Sequence, residues 1–157
     1  MSLESVRAFF AENAPDIAII ESPISSATVT LAAEAYGVEP GRIAKTLSLR
    51  VGGRVVLIVA AGTARMDNKK LKGHFGGKPK MLGVHEVAEM TGHDVGGVCP
   101  FGLKTPLPVY CDVSLKAFDE VVPAAGSTHS AVRIAPSRMA ELTSAEWVDV
   151  CQDPQER

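Results

Sequence analysis

The sequence predicts an α+β domain built on one mixed, largely antiparallel sheet. Three observations carry this. Residues 42–51 alternate, with Ile43, Lys45, Leu47, Leu49 and Val51 on one face and Ala44, Thr46, Ser48 and Arg50 on the other. Gly52-Gly53 then supplies a two-residue hairpin turn. Residues 54–61 are apolar on both faces, the pattern of a central strand covered on both sides. Helical patterns interrupt the strands irregularly, which argues against a doubly wound fold. No linker, repeat or low-complexity stretch divides residues 1–157, so one domain is expected.

The remaining elements follow in order. Leu3, Val6, Phe9 and Phe10 recur at helical spacing, and Pro15 ends that helix. Residues 17–20 are a short apolar strand candidate. Ser25 or Ser26 can cap a second helix that buries Val29, Ala32, Ala33 and Tyr36, with Gly37 as its stop. Residues 67–75 read as a helix with Asp67 near its N-terminus, where the dipole favours a carboxylate, closed by Gly76-Gly77. Residues 84–90 form another, ended by Gly92. Strands are expected at 108–113, 120–122 and 131–135. Pro136 suits a first helical turn. Thr143 and Glu146 fit a capping box for a last short helix carrying Trp147 and Val150. The polar tail, 152–157, is expected to fray.

Composition excludes several classes. Hydrophobic residues are 46% and charged residues 22%, as in ordinary globular proteins. A net charge of −2 gives no global pull toward DNA or a membrane, so any nucleic-acid contact needs a local basic patch. No apolar run approaches the ~18 residues of a membrane span. Met1-Ser2-Leu3-Glu4 lacks the basic and apolar regions of a signal peptide. Three cysteines without a Cys-x-x-Cys pair argue against a disulfide framework or zinc knuckle and point to a reducing, cytoplasmic setting. The four histidines show no metal spacing, and no cofactor motif is present.

Four stretches can carry chemistry. Lys45 falls on the apolar face of its strand, where an unpaired ammonium is costly. It either snorkels from a strand end or lines a pocket and meets an anion, with Thr46 brought to the same rim by a bulge. Gly97, Val98, Cys99, Pro100, Phe101 and Gly102 form a shaped loop, either a tight turn or a cup of backbone N–H groups for a phosphate or oxyanion. Residues 68–85 hold Lys69, Lys70, Lys72, Lys78 and Lys80 and one acid-free run up to His85, either a solvated face or phosphate contacts. Residues 125–130, with Gly126 and His129, are a surface loop or a substrate-orienting wall. Cys99 lacks a recognisable His/Asn or His/Asp context for a nucleophile, and a structural thiol is the simpler reading.

Arg42-Ile43-Ala44-Lys45-Thr46-Leu47, Asp67-Asn68-Lys69-Lys70-Leu71, Gly96-Gly97-Val98-Cys99-Pro100-Phe101-Gly102 and the closing Gly126 with Val132-Arg133-Ile134 stand in an order that resembles the YbaK/EbsC family of aminoacyl-tRNA deacylases, over about residues 20–145. That family includes free-standing editing proteins and the editing domain of bacterial prolyl-tRNA synthetases. The resemblance implies a barrel-like mixed sheet surrounded by helices. It implies hydrolysis of the ester linking a small amino acid (Ala, Cys, Ser or Thr) to the 3′-terminal adenosine of a mischarged tRNA, tRNA-Pro foremost. It makes Lys45 the residue most tied to activity and the Gly97–Gly102 loop part of the pocket; beside them Thr46 is expected at the rim, and Gly126 and His129 are expected to form the other wall around the substrate. The five lysines become tRNA contacts, a synthetase becomes a partner, and neither a side-chain triad nor a cofactor is required. In relatives the downstream glycine is often paired, whereas here it is Ala125-Gly126. A non-catalytic tRNA- or synthetase-binding module on the same fold is the alternative.

Overall fold

The computed structural model describes residues 2–153. Its heart is the predicted hairpin: β2 (Ile43–Val51) and β3 (Arg54–Ala61) pair antiparallel from Ala44 opposite Ala61 to Val51 opposite Arg54, without a bulge. Gly52 and Gly53 make the turn at φ of 54° and 83°, the left-handed region that a side chain disfavours. β3 is buried from Val55 to Ala61, as its two apolar faces require.

Two strands extend the sheet on the β3 side. β5 (Val109–Asp112) runs parallel to β3, and β8 (Glu146–Val148) runs parallel to β5. On the outer edge of β2, β4 (Lys80–Met81) pairs antiparallel with Leu49 and Arg50, and β6 (Val122–Pro123) pairs parallel with Ile43 and Ala44. A separate ribbon joins β1 (Ile20–Glu21) to β7 (Ser130–Ala131). The architecture is the expected mixed α+β sheet, open rather than closed into a barrel.

Five helices flank it among the described residues. α1 (Ser2–Asn13) buries Val6 and Phe10, and Phe10 packs on Phe101 with ring centroids 4.7 Å apart. Burying each such ring stabilises the fold by about 1.5–3 kcal/mol. α2 (Val29–Tyr36) buries Ala32, Ala33 and Tyr36. α3 (Asn68–Phe75) is capped by Asp67, whose carboxylate accepts the Lys70 N–H. α4 (Val84–Thr91) and α5 (Pro136–Thr143) complete the set. Gly37, Gly76 and Gly92 end α2, α3 and α4 in left-handed geometry, as read from the sequence. No helix among the described residues is long and apolar enough to cross a membrane.

Several local expectations are corrected. The cap of α2 is Thr28, whose hydroxyl accepts from Leu31 N–H, not Ser25 or Ser26. The first strand is Ile20–Glu21, not 17–20, because its pairing partner β7 sits further along. The expected strands at 120–122 and 131–135 shorten to two-residue ladders extended by bridges at Val121–Ile134 and Ala124–Ala131. The last helix does not form. Ser144 ends α5 at φ 54°, and the chain through Trp147 and Val148 adds to the open edge of β5. The buried Asp112 carboxylate locks that strand by accepting the Val150 N–H at 2.8 Å. Gln152 is tied through its N–H to the Arg65 carbonyl, and 154–157 of the expected frayed tail lie outside the described residues.

Candidate functional site

The outer edge of β2 is where the site forms. β4 takes Leu49 and Arg50, β6 takes Ile43 and Ala44, and the residues between them, 45–48, face a gap. Leu82 N–H donates to the Ser48 carbonyl at 3.1 Å, so Ser48's main-chain groups point outward. Strand alternation aims those of Thr46 the same way, into the gap. A cavity of about 370 Å³ occupies it. Its inner wall is Ser26, Ala32, Tyr36, Ile43 and Ala131, with Lys45, Thr46, Ser48, Gly96 and Val98 nearer the strand edge. Met81, Val84 and Val95 stand at its mouth, 58%, 66% and 54% exposed, among the most exposed large apolar side chains described.

Lys45 lines this cavity. Its ammonium donates to the Gly62 carbonyl at 3.3 Å and to the Ala64 carbonyl, both in the turn after β3. Main-chain dipoles thus hold the charge at the half-buried site, and it does not simply snorkel to water. By alternation Lys45 and Leu47 face one side of β2, while Thr46 and Ser48 face the side where Val98 packs with Val55, Leu82 and Val87. Lys45 and the glycine loop therefore approach the cavity from opposite faces of one strand, and no bulge is needed to bring Thr46 to the rim. The Thr46 hydroxyl is shielded from solvent and has no hydrogen-bond partner, the one such side-chain atom among the described residues. Leaving a buried hydroxyl unsatisfied costs about 1–3 kcal/mol, so a cavity-lining residue that keeps it offers a ready contact to a ligand.

The glycine loop divides in two. Gly96, at φ 95°, and Val98 line the cavity. Gly97, Cys99, Pro100, Phe101 and Gly102 do not; they form the layer behind it. Gly97 donates its N–H to the Asp94 carbonyl and accepts the Gly126 N–H at 3.1 Å, so its amide is not a free cup for an anion. A Cβ on Gly97 would sit 2.7 Å from Ser127 N, on Gly102 2.7 Å from Ser5 O, and on Gly126 2.7 Å from Ser2 O. These glycines let backbones pack together: the loop, the 126 turn and the start of α1. Cys99 and Phe101 are fully buried against α1, so neither sets the cavity's size directly. Burial raises the Cys99 thiol to about 12, which keeps it protonated and unreactive.

The 125–130 stretch also divides. Ser130 and its neighbour Ala131 reach the cavity, with Ser130 Oγ 2.6 Å from Ser127 Oγ. The His129 side chain is exposed beside Thr128 Oγ1 and does not line the cavity. Sequence reasoning missed Ser26, Tyr36 and Ser130 as lining groups. Ser26 Oγ donates to the Thr128 carbonyl at 3.0 Å and lies 3.3 Å from the Tyr36 hydroxyl. Burial pushes the Tyr36 phenol above its ordinary range.

The lysines are not equivalent. Lys70 binds Asp149 and Asp153 at 3.1 Å and the Cys151 carbonyl at 2.8 Å, and those carboxylates raise its pKa. It clamps the end of the described chain to α3 and is not presented to a polyanion. Lys69, Lys72, Lys78 and Lys80 are exposed and form no salt bridge among the described residues. Lys80 adjoins Met81 at the cavity mouth and pairs with Arg50 of β2, and a Cβ placed on Gly77 would sit 3.4 Å from Gly52 N of the hairpin turn.

Comparison with known proteins fits this geometry. Residues 25–142 match the family model described as an aminoacyl-tRNA editing domain. The uncharacterized protein YwhH of Bacillus subtilis (strain 168) is 52% identical over 155 residues, 98% of this chain and 99% of that protein. EbsC of Enterococcus faecalis (strain ATCC 700802 / V583), whose name proposes a Cys-tRNA(Pro)/Cys-tRNA(Cys) deacylase, is 31% identical over 121 residues, 75% of this chain and 73% of that protein. A crystal structure described as a proposed trans-editing enzyme for prolyl tRNA synthetase superposes with a TM-score of 0.89 at 32% identity, covering 97% of this chain and 98% of that one. With the match spanning most of the chain and both sides of the cavity, this protein belongs to the aminoacyl-tRNA editing domain family.

Proposed function

We propose that this chain hydrolyses the ester of mischarged aminoacyl-tRNA in trans, with tRNA-Pro carrying a small amino acid as the leading substrate. The carrying observation is the shielded, unpartnered Thr46 hydroxyl beside a lysine in the one sheet-edge cavity described above. Membership in the editing family supports the reaction class.

In this reading the amino acid enters the recess of Ala32, Tyr36 and Ile43, which accepts small side chains and rejects larger ones by size. Thr46 contacts the ester or the ribose hydroxyl. Lys45, held by the Gly62 and Ala64 carbonyls, brings positive charge to the 3′-terminal ribose and phosphate. Water adds to the acyl carbon, the acyl–oxygen bond to the ribose breaks, and the ribose oxygen leaves with a proton drawn from that water. An aminoacyl ester is already activated, so orientation and charge stabilisation suffice without a nucleophilic side chain. Met81, Val84 and Val95 give the terminal base an aliphatic shelf, and Lys80 and Lys78 continue the path for phosphates.

The test is a deacylation panel: alanyl, cysteinyl, seryl and threonyl esters on tRNA-Pro and on their own tRNAs. Turnover of at least one, lost in Lys45→Ala, is the expected result. Salt-sensitive tRNA binding with no turnover anywhere in the panel would replace this reading with a non-catalytic binding module.

A further inference from the structure

We infer that His93 is a positioning residue for the cavity: its imidazole clasps the loop whose tip is Gly96–Val98 and couples that wall to the turn at Gly126. This rests on the proposed function only where activity is the readout. His93 is fully buried and lies outside the cavity. Its Nε2 is 2.7 Å from the Phe101 carbonyl, closing the chain between residues 93 and 101 into a loop. Its main chain is fixed as well, with the His93 N–H donating to Thr91 Oγ1 at 3.0 Å. On the other side of the ring, Nδ1 is 2.6 Å from Ser2 Oγ, and Ser2 Oγ is 2.5 Å from the Gly126 carbonyl. Gly126 N–H in turn donates to the Gly97 carbonyl, so a closed circuit runs His93, Ser2, Gly126, Gly97. Two of its members, Gly97 and Gly126, have no room for a side chain, so the circuit has little slack.

Proton accounting assigns the ring. A carbonyl only accepts, so Nε2 carries a hydrogen. In the neutral ring Nδ1 is then an acceptor, and the single Ser2 hydroxyl proton has two acceptors before it, Nδ1 and the Gly126 carbonyl. Protonating Nδ1 makes it a donor and turns the Ser2 proton wholly toward Gly126. The link between the two loops thus changes with the ring's charge. Burial disfavours that charge and sets the ring's pKa below its ordinary value, although the Phe101 carbonyl and Asp94 oppose this. The other groups nearby are the Cys99 thiol, 3.6 Å from Nε2, and the exposed Lys104, whose N–H donates to the Thr91 carbonyl.

The experiment is a pH titration of the whole chain by NMR, following the His93 ring nitrogens and the amides of Gly96, Gly97, Val98 and Gly126, beside deacylation kinetics. Expected is a ring protonated on Nε2 that titrates below pH ~6.5, with all four amides shifting at the same midpoint. In Ser2→Ala the Gly126 amide stops following while Gly96 and Val98 continue. His93→Phe, which fills the space without hydrogen bonds, lowers kcat/KM roughly tenfold to a hundredfold; His93→Gln, which keeps a donor for Phe101, recovers most of it and loses the acid limb of the pH profile. Loop amides that ignore the ring's titration overturn the proposal, as does a folded His93→Phe with the wild-type rate and pH profile. If no ester is hydrolysed by the wild type, the editing reading fails, and the NMR titration still decides this one.

Discussion

Thr46 and Lys45 are neighbours that serve the cavity in opposite ways. The Thr46 hydroxyl is held ready at a cost to the fold, whereas the Lys45 ammonium is satisfied by two carbonyls. Replacing Thr46 with valine removes the unsatisfied oxygen and keeps the shape. Thermal unfolding should show a Tm equal to or above wild type, a gain of up to ~1 kcal/mol, while kcat/KM for the edited ester falls about tenfold or more. A Tm and rate that fall together would make Thr46 a structural residue only. Lys45→Ala should lower kcat/KM at least about a hundredfold, the scale of losing one stabilising charge contact in the transition state. The lysine was legible from the sequence as a charge on an apolar strand face. The state of the Thr46 hydroxyl was not, because it depends on which distant groups fail to reach it.

At the scale of elements, the gap between β4 and β6 makes the site, and the lysines around β4 divide by their partners. Lys78→Glu with Lys80→Glu should raise KM for tRNA and flatten its salt dependence by about one unit of log–log slope for each lysine that meets a phosphate. Lys70→Ala should leave KM unchanged and lower Tm, since its partners are Asp149, Asp153 and the Cys151 carbonyl. Equal effects on KM from both changes would refute the division. The acid-free run from 68 to 85 concealed it: the acids that occupy Lys70 lie about 80 residues along the chain. Likewise the predicted last helix is a strand, because the open edge of β5 and the Asp112 carboxylate outcompete a local capping signal.

For the whole molecule, the buried His93 ties stability to pH. Its folded pKa lies below the ordinary 6.5, so the fold favours the neutral ring. The stabilisation is complete above pH ~6.5 and is lost as pH falls from there through the folded pKa. Carboxylates held low by arginines, Asp16 by Arg138, Asp119 by Arg42 and Glu86 by Arg50, act the same way at still lower pH. Chemical unfolding of wild type at pH 7.5, 6.5 and 5.5 should show a decline over the lower interval that is absent in His93→Gln. A flat wild-type profile down to pH 5 would contradict it.

By itself the sequence determined the hairpin, the helix stops at Gly37, Gly76 and Gly92, the Asp67 cap and the strand that carries Lys45, since φ preference, capping and alternation act within a few residues. Tertiary structure decided the rest: the two-residue strands that frame the gap, the serines and tyrosine of the cavity wall, and the retreat of Cys99 and Phe101 into the core. Those outcomes are set by which remote surfaces bury one another, and a linear pattern of residue types does not encode that choice position by position.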